Sequence, residues 1–169
     1  MSANDTPSSI FDFLPDSLAG GTPAPQAEPG RLASMRAQYI VDLSVELHQP
    51  LFDRTKQMAT RMGVNVQAAS HTADMHEVRL FLNFEATIDD EKVVTVDLVY
   101  GGLAWTEGTY VGEQLDLALR IDAAYMLYPA ARHVLNDYLT QADCPTPIPT
   151  PNFHDIYDQH VAADGNPVA

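Results

Sequence analysis

The sequence predicts an α+β domain in which helices cover one face of an antiparallel sheet. Three observations predict it. Apolar residues alternate with a period of two through the first half of the chain, two of the alternating runs are joined by a short acidic turn, and after Gly112 the spacing changes to three and four. At 169 residues and 46% apolar content, the chain fits one globular domain.

Taken in order, residues 1–30 hold five of the twelve prolines, four acids and no base. Such a stretch buries too little apolar surface to offset its ordering entropy, so residues 1–35 read as a disordered tail with one apolar patch, Ile10–Leu14. In Gln38–Leu47, Tyr39, Val41, Leu43, Val45 and Leu47 fall on one side, with Asp42, Ser44 and Glu46 opposite, the pattern of a half-buried strand. Met62, Val64 and Val66 mark a shorter second strand. His76–Thr87 sets Val78, Leu80, Leu82, Phe84 and Ala86 on one face, and Val94, Val96 and Leu98 resume the alternation after the polar turn Asp89–Glu91. The two runs form a hairpin. Apolar groups on the other face, Ile40, Phe81 and Val99, leave surface that one small subunit cannot cover. Gly101 and Gly102 predict a sharp bend that ends the last strand, with a short extension over Leu103–Glu107.

Beyond Gly112, Leu115, Leu117, Leu119 and Ile121 suit a short helix. Leu127, Ala131, Val134, Leu135 and Tyr138 recur as in an amphipathic helix that starts near Leu127 or kinks at Pro129. Pro145–Pro151 has a proline at every second position, an extended connector, and Asn152 can cap a last helix with Phe153, Ile156, Tyr157 and Val161 on its apolar side. Residues 163–169 read as a flexible tail.

A net charge of −14, from nine bases against 23 acids, excludes a duplex-binding footprint and disfavours an anionic membrane surface. No apolar run approaches the ~18–20 residues that span a bilayer, and nothing marks an export signal. The single cysteine, Cys144, forms no internal disulfide, which points to a reducing cytoplasm. Phosphate-cradling glycine loops, GxSxG, HExxH and CxxC are lacking, so neither enzyme activity, a nucleotide site, a cofactor nor a metal is expected. His71, Asp74 and His76 make at most a chance metal pattern, and Cys144 reads as an inert thiol. Asp42 and Glu46 lie on one strand face about 13 Å apart. With Asp97 they read either as ordinary polar decoration or as a docking surface for a basic partner.

Gln38–Glu46, the hairpin ending in Gly101-Gly102-Leu103, Leu127-Tyr-Pro-Ala-Ala-Arg132, and the proline connector into Asn152-Phe153 together resemble the SecB family of bacterial export chaperones over residues 36–162. The resemblance implies a four-stranded antiparallel sheet backed by C-terminal helices and assembled as a homotetramer, a dimer of dimers. It implies an ATP-independent holdase that keeps unfolded secretory preproteins in hydrophobic grooves and delivers them to the SecA motor. By position it assigns SecA docking to Asp42, Glu46, Thr95 and Asp97, with Thr95 standing where the family often has leucine. It places the client groove at Val64, Val66, Tyr157 and Val161, with Trp105 either a groove or a core residue. Two alternatives compete: a SecB-like chaperone dedicated to an antitoxin or other unstable partner, and a small thioesterase-like enzyme using Asp122 or His133.

Overall fold

The computed structural model describes residues 34–106 and 110–163. The Ile10–Leu14 patch, most of the N-terminal tail, Glu107 and residues 164–169 lie outside the described residues. Four strands come first, β1 (Ser34–Leu47), β2 (Ala59–Ser70), β3 (Met75–Ile88) and β4 (Glu91–Trp105). The helical part follows as α1 (Glu113–Leu117), a π-helical turn over Ala118–Asp122, α2 (Ala123–Gln141) and α3 (Phe153–Ala163). The sheet is antiparallel throughout, in the order β1-β4-β3-β2. β2, β3 and β4 therefore form a meander and β1 returns beside β4, a Greek key.

The β3–β4 hairpin closes through Asp89 and Asp90, with φ of 51° and 65°. Two successive left-handed residues make the turn whose twist matches the strands, and aspartate tolerates that region better than bulkier side chains. Residues 48–58 carry the chain from one sheet edge to the other around this turn. They are tied down by His48 N–H to the Val93 carbonyl (2.8 Å), Gln49 to Glu91 (2.7 Å), and Lys56 to Asp89.

On β3 and β4 the strict alternation builds the core. Val78, Leu80, Leu82, Phe84, Val94, Val96 and Leu98 are buried against Leu127, Ala131, Leu135 and Leu139, which recur every fourth residue on α2. Tyr128 donates to the Pro149 carbonyl, which holds the proline connector against α2. The Asn152 side chain accepts from the His154 amide at 3.1 Å and caps α3.

Three local expectations are corrected. β4 does not bend at Gly101-Gly102 but runs on to Trp105. The glycines serve close approach instead: a Cβ on Gly102 would lie 2.6 Å from Leu127 Cδ2, and one on Gly101 would lie 2.8 Å from Val41 Cγ2. α2 does not start near Leu127, because the helix begins at Ala123 and carries Pro129 inside it. The side chains of β1 are also divided differently. Register shifts at Arg36 and Val41 interrupt the alternation, so Tyr39 pairs with Gly101 on the face away from the helices, while Ile40 pairs with Tyr100 on the helix side. Leu43, Val45 and Leu47, opposite Leu98, Val96 and Val94, stay on the helix side.

Candidate functional site

The sheet has two unlike faces. Over β3 and β4 the helix-side face is dry core, whereas the outer face carries alternate residues of all four strands, with no helix laid over it among the described residues. Along β1 and β4 the register sets Asp42 opposite Val99, Ser44 opposite Asp97, and Glu46 opposite Thr95. The four residues singled out for docking, Asp42, Glu46, Thr95 and Asp97, therefore share this outer face across two adjacent strands. Asp97 accepts from Asn83 Nδ2 on β3 at 2.5 Å. Thr95 Oγ1 lies 3.0 Å from His48 Nε2, which is also 3.8 Å from Glu46. His48 is thus part of the patch. Nothing in its sequence spacing singles it out.

A second polar group lies at the far end of the same face. The Tyr39 hydroxyl donates to Glu77 at 3.0 Å, and Arg79 grips the same carboxylate with two nitrogens at 2.9 and 3.2 Å. Arg79 and Tyr39 together hold the Glu77 carboxyl below its usual range against the opposing effect of burial. Tyr39 reaches Glu77 by crossing over β4 at Gly101, which is why that position lacks a side chain. This network straps the edge strand to β3 and was not legible from periodicity.

The five positions matched to a client groove are split by the fold. Val64 and Val66 pair with Leu82 and Leu80 on the helix side of β2, and Val66 is buried. Tyr157 and Val161 belong to the same apolar cluster on α3, with Tyr157 buried and its hydroxyl raised above its ordinary range by burial and by Asp116. Trp105 lies on the opposite, outer face, half-buried, with the Arg36 guanidinium 5.4 Å from its ring centre. Exposed apolar surface is concentrated on β1 instead: Ile40, Val41, Val45 and Leu47 are each more than a third exposed, on an edge strand of fourteen residues.

The groups considered for chemistry are occupied in structural roles. His76 is buried, with Ser70 Oγ 2.9 Å from Nδ1 and Thr106 Oγ1 3.0 Å from Nε2, and burial lowers its pKa. His71 faces Glu77 at 3.6 Å rather than His76. Burial raises the Cys144 thiol, whose sulfur packs 3.2 Å from Met58 Sδ, so little nucleophilic thiolate forms. His133 is exposed on α2 beside Asp137 at 3.5 Å. Among the described residues no cluster of three or more metal-ligating side chains occurs, and no helix is long and apolar enough to cross a membrane.

An open sheet face edged with carboxylates, next to a long apolar edge strand, is the kind of surface that binds other polypeptides. Comparison with known proteins gives this class its family. Residues 26–164 match the family described as preprotein translocase subunit SecB. The protein-export protein SecB of Mesorhizobium japonicum is 30% identical over 157 residues, covering 90% of this chain and 92% of the relative. That of Caulobacter sp. strain K31 is 32% identical over 137 residues, covering 78% and 83%. Among solved structures, the Mycobacterium tuberculosis SecB-like chaperone in complex with a peptide from the HigA1 antitoxin superposes with a TM-score of 0.62 at 15% identity, covering 71% of this chain and 91% of that one. The chain belongs to the SecB family of protein-export chaperones.

Proposed function

We propose that the protein is an ATP-independent holdase of the cytoplasm. It binds unfolded secretory precursors through apolar grooves, keeps them competent for translocation and delivers them to SecA. One observation supports the delivery step: the register that gathers Asp42, Glu46 and Asp97 onto one face of the sheet, which no helix covers among the described residues. Carboxylates spread over two adjacent strands steer a basic partner and fix its orientation.

The holding step rests on apolar surface that a single subunit leaves open. Among the described residues β1 is an edge strand, and it offers backbone groups and apolar side chains along that edge, a template for pairing with another chain. Pairing of copies through this region supports the homotetramer, a dimer of dimers, and apolar surface left between copies would bind extended segments with little sequence preference. Val64 and Val161, which are partly buried, contribute to such a groove through the helix-side layer, Val66 and Tyr157 back it from the core, and Trp105 borders the outer face. The net charge of −14 per chain keeps a particle with open apolar channels soluble and favours basic client segments. The antitoxin peptide belongs to the mycobacterial neighbour. Its likeness to this chain is one of fold, whereas the relatives near 30% identity are export proteins.

Titration against SecA tests this reading. Asp42→Arg should weaken binding about tenfold or more, since a reversed charge both removes an attraction and adds a repulsion. Equal affinity in that variant would remove the docking face from the account.

A further inference from the structure

The acidic outer face also contains a built depression. Gly63 on β2 lies opposite Asn83, and the missing side chain leaves a hollow of about 390 Å³ bounded by Gly63, Asn65, Phe81, Asn83, Asp97 and Val99. Its floor is the cross-strand pair Phe81 and Val99, both half-buried and turned away from the core that holds Leu80, Leu82 and Leu98. Its rim is polar. The Asn83 amide fixes Asp97 Oδ1, and a carboxylate held through one oxygen keeps lone pairs on the other for an incoming donor.

We propose that this hollow is the seat for one arginine side chain of the docking partner. The proposal rests on the reading of the outer face as a docking surface. A flat aromatic ring beside a fixed carboxylate suits a guanidinium, which stacks on the ring and forks onto the oxygens. An ammonium does only the second, as a strongly hydrated point charge. The apolar floor accepts the methylene stem, and Asp42 and Glu46 on the neighbouring β1 add favourable charge. The chain's own arginine on β3 does not take the place: Arg79, two residues from Phe81, is held by Glu77 through both of its contacting nitrogens. Arg61 on β2 lies opposite Glu85, further along the same face. The same face already shows the stacking half of the interaction, with Arg36 over Trp105.

Gly63 supplies the test, because a Cβ there would meet Asn83 Cβ at 3.8 Å, an ordinary contact, so the position accepts a side chain and Gly63→Val narrows the hollow. The probe is a capped pentapeptide with one arginine among glycines, beside its lysine and citrulline counterparts, titrated into the full-length protein with labelled valine methyls. The arginine peptide should shift the Val99 methyls saturably, bind about three- to fivefold more tightly than the lysine peptide, and bind more tightly than the uncharged citrulline peptide. Gly63→Val should abolish the saturable shifts, and Asp97→Asn should weaken them about tenfold. Equal arginine and lysine affinities, or unchanged binding in Gly63→Val, would overturn the seat. Failure of the docking reading is separable: it shows as SecA binding indifferent to Asp42→Arg, whatever the peptide does.

Discussion

Replacing each sheet glycine with alanine separates three environments that a sequence presents identically. At Gly102 the new Cβ would lie 2.6 Å from Leu127 Cδ2, 2.9 Å from Met35 Sδ and 3.0 Å from the Ala37 carbonyl oxygen. Leu127 is fully buried and the carbonyl belongs to the neighbouring strand, so only Met35 can move aside. Overpacking of this kind costs about 1–3 kcal/mol, and the lost glycine flexibility returns about 0.5–1 kcal/mol. Gly102→Ala should therefore destabilise by roughly 1–2 kcal/mol. At Gly101 the obstacles are Val41 and the Tyr39 ring at 2.8 and 2.9 Å, on the edge strand, where both can shift; the two effects should nearly cancel. At Gly63 the nearest atom is 3.8 Å away, so Gly63→Ala should stabilise by about 0.5 kcal/mol. Urea unfolding at one fixed protein concentration reads all three, with a midpoint fall of about 0.5–1 M for Gly102→Ala at a typical slope. A Gly102→Ala protein as stable as the parent, or a Gly63→Ala protein that is the weakest of the three, would refute the packing argument.

Other outcomes follow from the same structure. Burial lowers the His76 pKa, so between the folded and unfolded values the unfolded chain binds more protons. The stability it contributes is full above the unfolded value of about 6.5 and is lost as pH falls through and below it. The urea-midpoint gap between the parent and His76→Gln should narrow from pH 8 to pH 5.5, and parallel profiles would contradict this. Cys144 should resist a thiol reagent in the native protein and react on addition of denaturant; fast native labelling would show that the thiol is open. Leu47→Glu places a charge on the exposed helix side of the edge strand and should lower the solution mass at micromolar concentration, whereas an unchanged mass would move the assembly surface away from β1.

Much of the sheet is legible in the sequence because β3 and β4 are central strands. Each residue from Val78 to Ala86 has either core or solvent beside it, so the period of two is clean, and the Asp89-Asp90 turn carries its own chemistry. β1 is harder to read. Two bulges shift its phase, and an edge strand pairs on one side only, so the tyrosine counted with the inward row lies outside. The glycine pair misleads for a related reason: glycine marks either a bend or a close approach, and only the positions of Leu127, Val41 and Tyr39 decide between them. Helix composition likewise gives α2 its buried stripe but not its start: proline suits a first helical turn, whereas α2 begins at Ala123 and carries Pro129 in its interior.

The candidate site divides along the same line. Asp42 and Glu46 show their common face through strand spacing alone, but that Thr95 and Asp97 sit opposite them depends on β1 pairing with β4, a long-range contact that no local pattern encodes. Neither the hollow at Gly63 nor the Tyr39–Glu77–Arg79 strap is visible until three strands lie side by side.

The most direct test pairs solution mass with a holding assay. Four copies of the 18.5 kDa chain give a particle of about 74 kDa. That particle should suppress aggregation of a reduced, unfolded precursor at stoichiometric amounts without nucleotide. If a 74 kDa assembly forms and the precursor aggregates at its unassisted rate, the claim that apolar surface left open by assembly captures unfolded chains is wrong.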